Sequence, residues 1–366
     1  MAADRPRGRR IYIDWARGLA VLLMIEWHTA DAWTRAADRG SAAFGRALIL
    51  GGFAAPLFLW LAGLGVALSA ARITENENRR AAMLAIVRRG LEIFILAFLF
   101  RLQAFILTPG SYLVTIFRVD ILNVMGPAIV LTGLMWAFGG RGKSLMPCAA
   151  YAVAAAGMAL VTPAIRIAPV VDLLPEGLQW YIRPKGDLTN FTMFPWAGFV
   201  FAGAACGVLL AATRQMRTER RLQAAFAISG IALVALGDYL ATQPTIYRES
   251  SFWTTSPTWF AMRVGILMIA VAALYACGEL AMRWNVTIPA LERIGRSSLF
   301  IYWIHVELVY GYATWLLRGR LPVWGSIVAC LLFSALMYRA VVVRDRVVEN
   351  WSAARSRRST PEAAPA

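Results

Sequence analysis

Polar stretches long enough to fold in water are what this chain lacks. Only 16% of its 366 residues are charged, 59% are apolar, and the mean hydropathy is +0.58. The two longest intervals between apolar runs, 165–191 and 242–258, are about 27 and about 17 residues, too short for a soluble domain. Histidine is scarcer still, with two in the whole chain, and the four cysteines fall singly in separate apolar runs as small buried residues. No His/Cys cluster has metal-ligand spacing, no complete Gly-x-x-x-x-Gly-Lys-Ser/Thr phosphate loop occurs, and no Gly-x-Ser-x-Gly elbow is present. Resident metal and P-loop chemistry are therefore not expected, nor is a bound cofactor. Asp14 and Arg17 interrupt the first apolar run, so it reads as a retained segment and not a cleaved signal.

Long apolar runs dominate. Runs of roughly 18 to 24 residues recur from end to end, the length that a bilayer-spanning helix requires. Ten spans are predicted, near 12–31, 47–70, 82–107, 119–138, 145–164, 192–213, 222–241, 259–282, 297–317 and 322–343. The fold expected is an all-α polytopic integral membrane protein, with about ten transmembrane helices around an intramembrane cavity. A basic tail (1–10) precedes one membrane domain (11–346), and a tail expected to be disordered follows (347–366). The net charge of +16 is scattered between the spans, which argues against nucleic acid and for membrane lipids. More than twice as many Lys and Arg residues fall on the N-terminal side of the spans as on the other, so both termini are expected in the cytoplasm. Gly203-Ala-Ala-Cys-Gly207 reads as a close helix-packing stripe.

Against that apolar background, Asp14, Arg17 and His28 stand out in the first span, where burying ionisable groups in lipid costs several kcal/mol. At roughly 100° per residue Arg17 and His28 lie within about 20° of each other, and Asp14 within about 60° of both. A neutral imidazole is well matched to general-base work near neutral pH, although an intramembrane histidine can equally serve as a hydrogen-bonded link between helices. Asp31, one turn on, is expected to orient the His28 ring. Glu26 points roughly 160° away and is the weaker candidate.

A second polar stripe, Ser298, Tyr302, His305 and Tyr312 with Glu307 nearby, marks the ninth span. Its start, Arg296-Ser297-Ser298, offers free N–H groups to an anion such as a phosphate, though an ordinary N-cap would use the same residues. Arg88, Arg89 and Glu92 in the third span, with Asp120 and Asn123 in the fourth, add polar groups at membrane depth. Such arginines hold either phosphates or lipid headgroups.

Taken together, these segments resemble a known family. Asp14-x-x-Arg17, ten residues and then His28 is similar to the Arg-x10-His signature of bacterial multi-pass membrane O-acyltransferases. Ile294-Gly-Arg-Ser-Ser-Leu-Phe-Ile-Tyr-Trp-Ile-His305-Val-Glu-Leu-Val-Tyr-Gly311 resembles a late helix of the heparan-alpha-glucosaminide N-acetyltransferase-like branch. Arg88-Arg-Gly-Leu-Glu92 and Asp120-Ile-Leu-Asn-Val-Met-Gly126 are similar to its third and fourth helices. One departure is that the animal lysosomal enzyme carries asparagine where His28 stands and uses a histidine in the following loop, which this chain lacks.

The resemblance implies an acyltransferase that takes an acyl group, acetyl above all, from cytoplasmic acyl-CoA to a carbohydrate or glycolipid hydroxyl or amine on the far side. It would sit in a bacterial inner membrane. His28 would act as general base or transient acyl carrier with Asp31, Arg17 and Asp14. Arg88, Arg89, Arg296, Ser297, Ser298, Asp120 and Asn123 would hold the acyl-CoA co-substrate. A homo-oligomer is left open. A proton-coupled transporter using the intramembrane Asp, Glu and His groups is the alternative, and a non-catalytic scaffold a third reading.

Overall fold

The computed structural model describes residues 10–108, 112–138, 146–213 and 215–359, with side chains through 352. Among the described residues there are thirteen α-helices and no strands. In order they are α1 (Ile11–Trp33), α2 (Ala42–Gly51), α3 (Ala54–Asn76), α4 (Arg79–Leu107), α5 (Ile121–Ala137), α6 (Met146–Ile167), α7 (Glu176–Gln179), α8 (Met193–Ala211), α9 (Met216–Ala241), α10 (Pro257–Arg283), α11 (Pro289–Arg296), α12 (Ser298–Tyr310) and α13 (Val323–Ser359).

The protein is an all-α, multi-pass membrane protein. Among the described residues, seven helical segments are long and apolar enough to cross a bilayer: Ala42–Asn76, Arg79–Leu107, Met146–Ile167, Met193–Ala211, Met216–Ala241, Pro257–Arg283 and Val323–Ser352. Each of the other three predicted spans overlaps a helix, although the ninth (297–317) leaves its α-helix at Gly311. Of these, α5 and α12 have 17 and 13 residues, while α1 has the length, at 23 residues, but carries the ionisable groups noted above. Outward faces of α4 and α13 present Ile95, Leu99, Leu331 and Leu332, an apolar surface that lipid accommodates and water does not.

By packing, the chain divides into two compact units: the chain up to Ala16 with Phe53–Thr287, and Arg17–Gly52 with Ile288–Ala366. Span lengths carry no information about which spans pack together, so this division was not legible in the runs. In the first unit α3 packs on α8 at a close crossing, where a Cβ added at Gly63 would strike the Val200 carbonyl and one at Gly203 the Trp60 carbonyl. Small residues permit such backbone approach in lipid. The start of α1 is anchored in the same unit by a buried carboxylate. Glu219 accepts from Tyr12 Oη at 2.7 Å and pairs with Arg10 Nε at 3.2 Å, while Gln223 Nε2 donates to Tyr12 Oη at 3.1 Å.

In the second unit the C-terminal end of α1 is pinned to the segment joining α12 and α13. Leu321 N donates to Trp33 O at 2.9 Å, Arg35 N to Leu321 O at 2.8 Å and Gly319 N to Ala32 O at 3.0 Å. Thr34 Oγ1 and Ser326 Oγ, both buried, lie 2.9 Å apart, and the Trp33 and Phe333 rings meet edge to face at 5.6 Å. These contacts fix the height of α1 against α12.

At the C-terminal end the helix runs to Ser359, so disorder from residue 347 is corrected over 347–359. The segment holds three Arg and two Ala residues, which favour helix, and its first breaker is Pro361. The remainder of that tail (360–366) and residues 1–9 of the basic N-terminal tail lie outside the described residues.

Candidate active site

The second unit brings the chain's two histidines together. Ser297 precedes α12, an apolar run follows, and Gly311 ends the helix with its N–H bonded to Glu307 O at 2.8 Å. His305 lies in the middle, fully buried. Its Nδ1 is 2.9 Å from both Ile301 O and Tyr302 O. A carbonyl only accepts, so Nδ1 carries the hydrogen and Nε2 holds a lone pair in the neutral ring. On α1, His28 Nδ1 lies 2.8 Å from Met24 O and must likewise be protonated. The same Nδ1 stands 3.2 Å from His305 Nε2, with the ring centroids 5.0 Å apart. His28 therefore donates to His305. Its own Nε2 has no protein partner among the described residues, and His28 is only half-buried.

Around this pair, Tyr302 stands with its ring centroid 6.0 Å from His305. Tyr310 presents its ring edge to His28 at 5.7 Å and donates its hydroxyl to Asp31 Oδ2 at 2.8 Å. No hydrogen bond joins Asp31 to the His28 imidazole. One turn of helix brings Asp31 near His28 in angle, but its carboxylate is taken by the Tyr310 phenol and by Arg39, whose Nη1 lies 3.9 Å away. Such donors compete effectively with a ring nitrogen whose hydrogen is already committed to two acceptors. Tyr312 falls beyond Gly311 on a 3-10 turn, off the helical stripe. Glu307 is half-buried on α12. Glu26 packs over Gly51 of α2, and its Oε2 is buried without a hydrogen-bond partner among the described residues.

The remaining predicted residues are distributed between the units. Asp14 is buried in the first unit, and Arg17, half-buried, belongs to the second. In the first unit Arg88 and Arg89 pair with Glu92 at 3.1 and 3.3 Å on the exposed face of α4. Asp120 and Asn123, both buried, build the start of α5. Asn123 Oδ1 accepts from Asp120 N at 3.0 Å, while Asp120 pairs with Arg101 and accepts from Asn190 Nδ2 at 2.6 Å. Asn190 in turn accepts from Arg118 at 2.6 Å.

Arg296, Ser297 and Ser298 sit at the opposite end of α12 from Gly311. Ser297 Oγ accepts from Arg344 Nη2 at 2.8 Å, and the Arg344 guanidinium covers the Phe300 ring at 4.9 Å. Arg296, Ser297, Leu299, Phe300, Trp303 and Arg344 line an open pocket of about 350 Å³. Arg344, Arg39 and Tyr310 were missed in the sequence. They reach their partners across the tertiary structure or past a helix end, and no helical spacing signals them.

Residues 9–244 match the sequence model of the family described as heparan-alpha-glucosaminide N-acetyltransferase, catalytic. The chain belongs to this family. The match spans α1 to α9 and so includes His28, Asp31, Arg88, Arg89, Asp120 and Asn123; it stops before α10 to α13, which carry Arg296, Arg344 and His305. No curated protein matches the chain. Membership in the heparan-alpha-glucosaminide N-acetyltransferase family gives this integral membrane protein an acetyltransferase-like function. Among the described residues no cluster of three or more His, Cys, Asp or Glu could hold a metal ion.

Proposed function

We propose that the protein transfers an acyl group, acetyl in keeping with its family, from acyl-CoA on the cytoplasmic side to a sugar hydroxyl or amine on the extracytoplasmic side. The membrane would be a bacterial inner membrane. The observation that carries this reading is His28 in a member of this family, with Nδ1–H held by Met24 O and Nε2 left without a partner among the described residues. Both proposed roles use the Nε2 lone pair: as general base it takes the acceptor's proton, and as carrier it takes the acyl group itself.

Arg296 and Ser297, which line the pocket at the start of α12, are the first choice for the donor's phosphates, with Ser298 beside them. Arg88 and Arg89 share Glu92 on the exposed face of α4, just as Arg296 faces Glu292 at 3.9 Å, so the pocket and not the charge favours the start of α12. Arg17 and Asp14 are assigned to charge placement along α1. The carbohydrate or glycolipid acceptor would approach His28.

The test uses purified protein in nanodiscs, with acetyl-CoA, a panel of amino sugars and neutral sugars, and CoA release as readout. His28→Ala is expected to abolish transfer, a loss of about 10²-fold or more, while the variant still inserts and binds acetyl-CoA. Retained turnover would sink the assignment. Mass spectrometry of cell-envelope glycans with and without the protein should show one acyl mass lost.

A further inference from the structure

Two histidines, the only ones in the chain, meet at 3.2 Å from helices 277 residues apart in sequence. Three backbone carbonyls settle where their hydrogens are. Ile301 O and Tyr302 O place a hydrogen on His305 Nδ1, and Met24 O places one on His28 Nδ1. Given those hydrogens, only a lone pair on His305 Nε2 can meet His28 Nδ1–H without two hydrogens colliding. The alignment runs one way, from His28 to His305. It presents the basic nitrogen of His28 on the side of the ring away from His305.

We infer that His305 is the positioning partner of His28, accepting its Nδ1–H so that Nε2 is oriented towards the acceptor and the imidazolium formed in the reaction is stabilised. This rests on the reading of His28 as the base. In the step itself the acceptor O–H or N–H bond breaks and its proton passes to His28 Nε2. The acceptor oxygen or nitrogen bonds to the thioester carbonyl carbon, the C–S bond breaks, and the departing thiolate takes the proton back from His28 Nε2. CoA thiol and the acylated sugar result, and both rings return to their starting protonation. A carboxylate performs the equivalent task for the histidine of a Ser-His-Asp triad; here a second neutral imidazole stands in that position. Asp31, the carboxylate one helical turn on from His28, is engaged by Tyr310 and Arg39 instead.

The scarcity of histidine makes the test direct. Protein labelled with ¹⁵N-histidine and reconstituted in nanodiscs should give two ring systems, both protonated at Nδ1, with a through-hydrogen-bond coupling between His28 Nδ1 and His305 Nε2. His28→Ala removes one system and assigns the other. His305→Leu is expected to lower kcat about 100-fold, the scale of a misplaced catalytic group, with KM for acetyl-CoA unchanged. His305→Gln, whose amide oxygen can accept the same hydrogen, is expected to recover kcat to within about tenfold of wild type. Protonation of His28 at Nε2 in place of Nδ1, or absence of the coupling, would overturn the arrangement without recourse to any variant. His305→Leu turning over at the wild-type rate would overturn its role. Failure of the acyltransferase reading has a different signature: no transfer by the wild-type protein while the coupling is present.

Discussion

Tyr310 ties two parts of the site together, with its ring edge-on to His28 and its hydroxyl on Asp31. Removing only the hydroxyl isolates the second function. Tyr310→Phe keeps the aromatic wall and releases one hydrogen bond to a carboxylate that Arg39 still faces. At a partly exposed site such a bond contributes about 1 kcal/mol, so kcat is expected to fall by no more than about tenfold. A loss equal to that of His28→Ala, measured as CoA release, would return Asp31 to the centre of the chemistry. The contrast between the two residues is one of position: His28 offers an open nitrogen, whereas Asp31 is already occupied.

Helices meet here through small residues and helix starts. The α3/α8 crossing leaves no room for a side chain, because a Cβ on Gly203 would occupy the space of the Trp60 carbonyl. Backbone cannot yield as a flexible side chain can, so Gly203→Leu is expected to destabilise by about 3 kcal/mol or more, read as a lowered unfolding temperature in detergent. The start of α5 depends on charge. Asp120 faces Arg101 in a largely buried setting, and Asp120→Ala would take away the carboxylate paired with that guanidinium. Breaking a buried pair from one side costs about 3–5 kcal/mol, so this variant should lose stability whether or not acetyl-CoA is present. A variant of normal stability that had lost only donor affinity would instead mark Asp120 as a binding residue. The Gly203 stripe was legible from its four-residue spacing. The Asp120 network was not, since Arg101, Arg118 and Asn190 lie on segments that no helical period links.

For the molecule as a whole, the excess of arginine on one side of the spans predicts that both termini face the cytoplasm. A green fluorescent protein fused after Ala366 should fluoresce and an alkaline phosphatase at the same place should be inactive; the reverse pattern would invert the proposed direction of transfer. Hydrophobic run length by itself determined the class of this protein. Backbone polar groups in lipid must be satisfied within a segment, so an apolar run of the right length has helix as its solution, and each of the ten predicted runs overlaps an α-helix, the ninth only over Ser298–Tyr310. The cost of placing Asp14, Arg17, His28 and His305 in such runs also singled out α1 and α12 before any contact was known. Tertiary structure alone decided what those residues do to one another. Periodicity is a property of one helix, whereas the His28–His305 bond, the capture of Asp31 by Tyr310 and Arg39, and the division into two units depend on which helices pack and at what height. Those choices are made by side chains far apart in sequence, Trp33 with Phe333 and Thr34 with Ser326 among them.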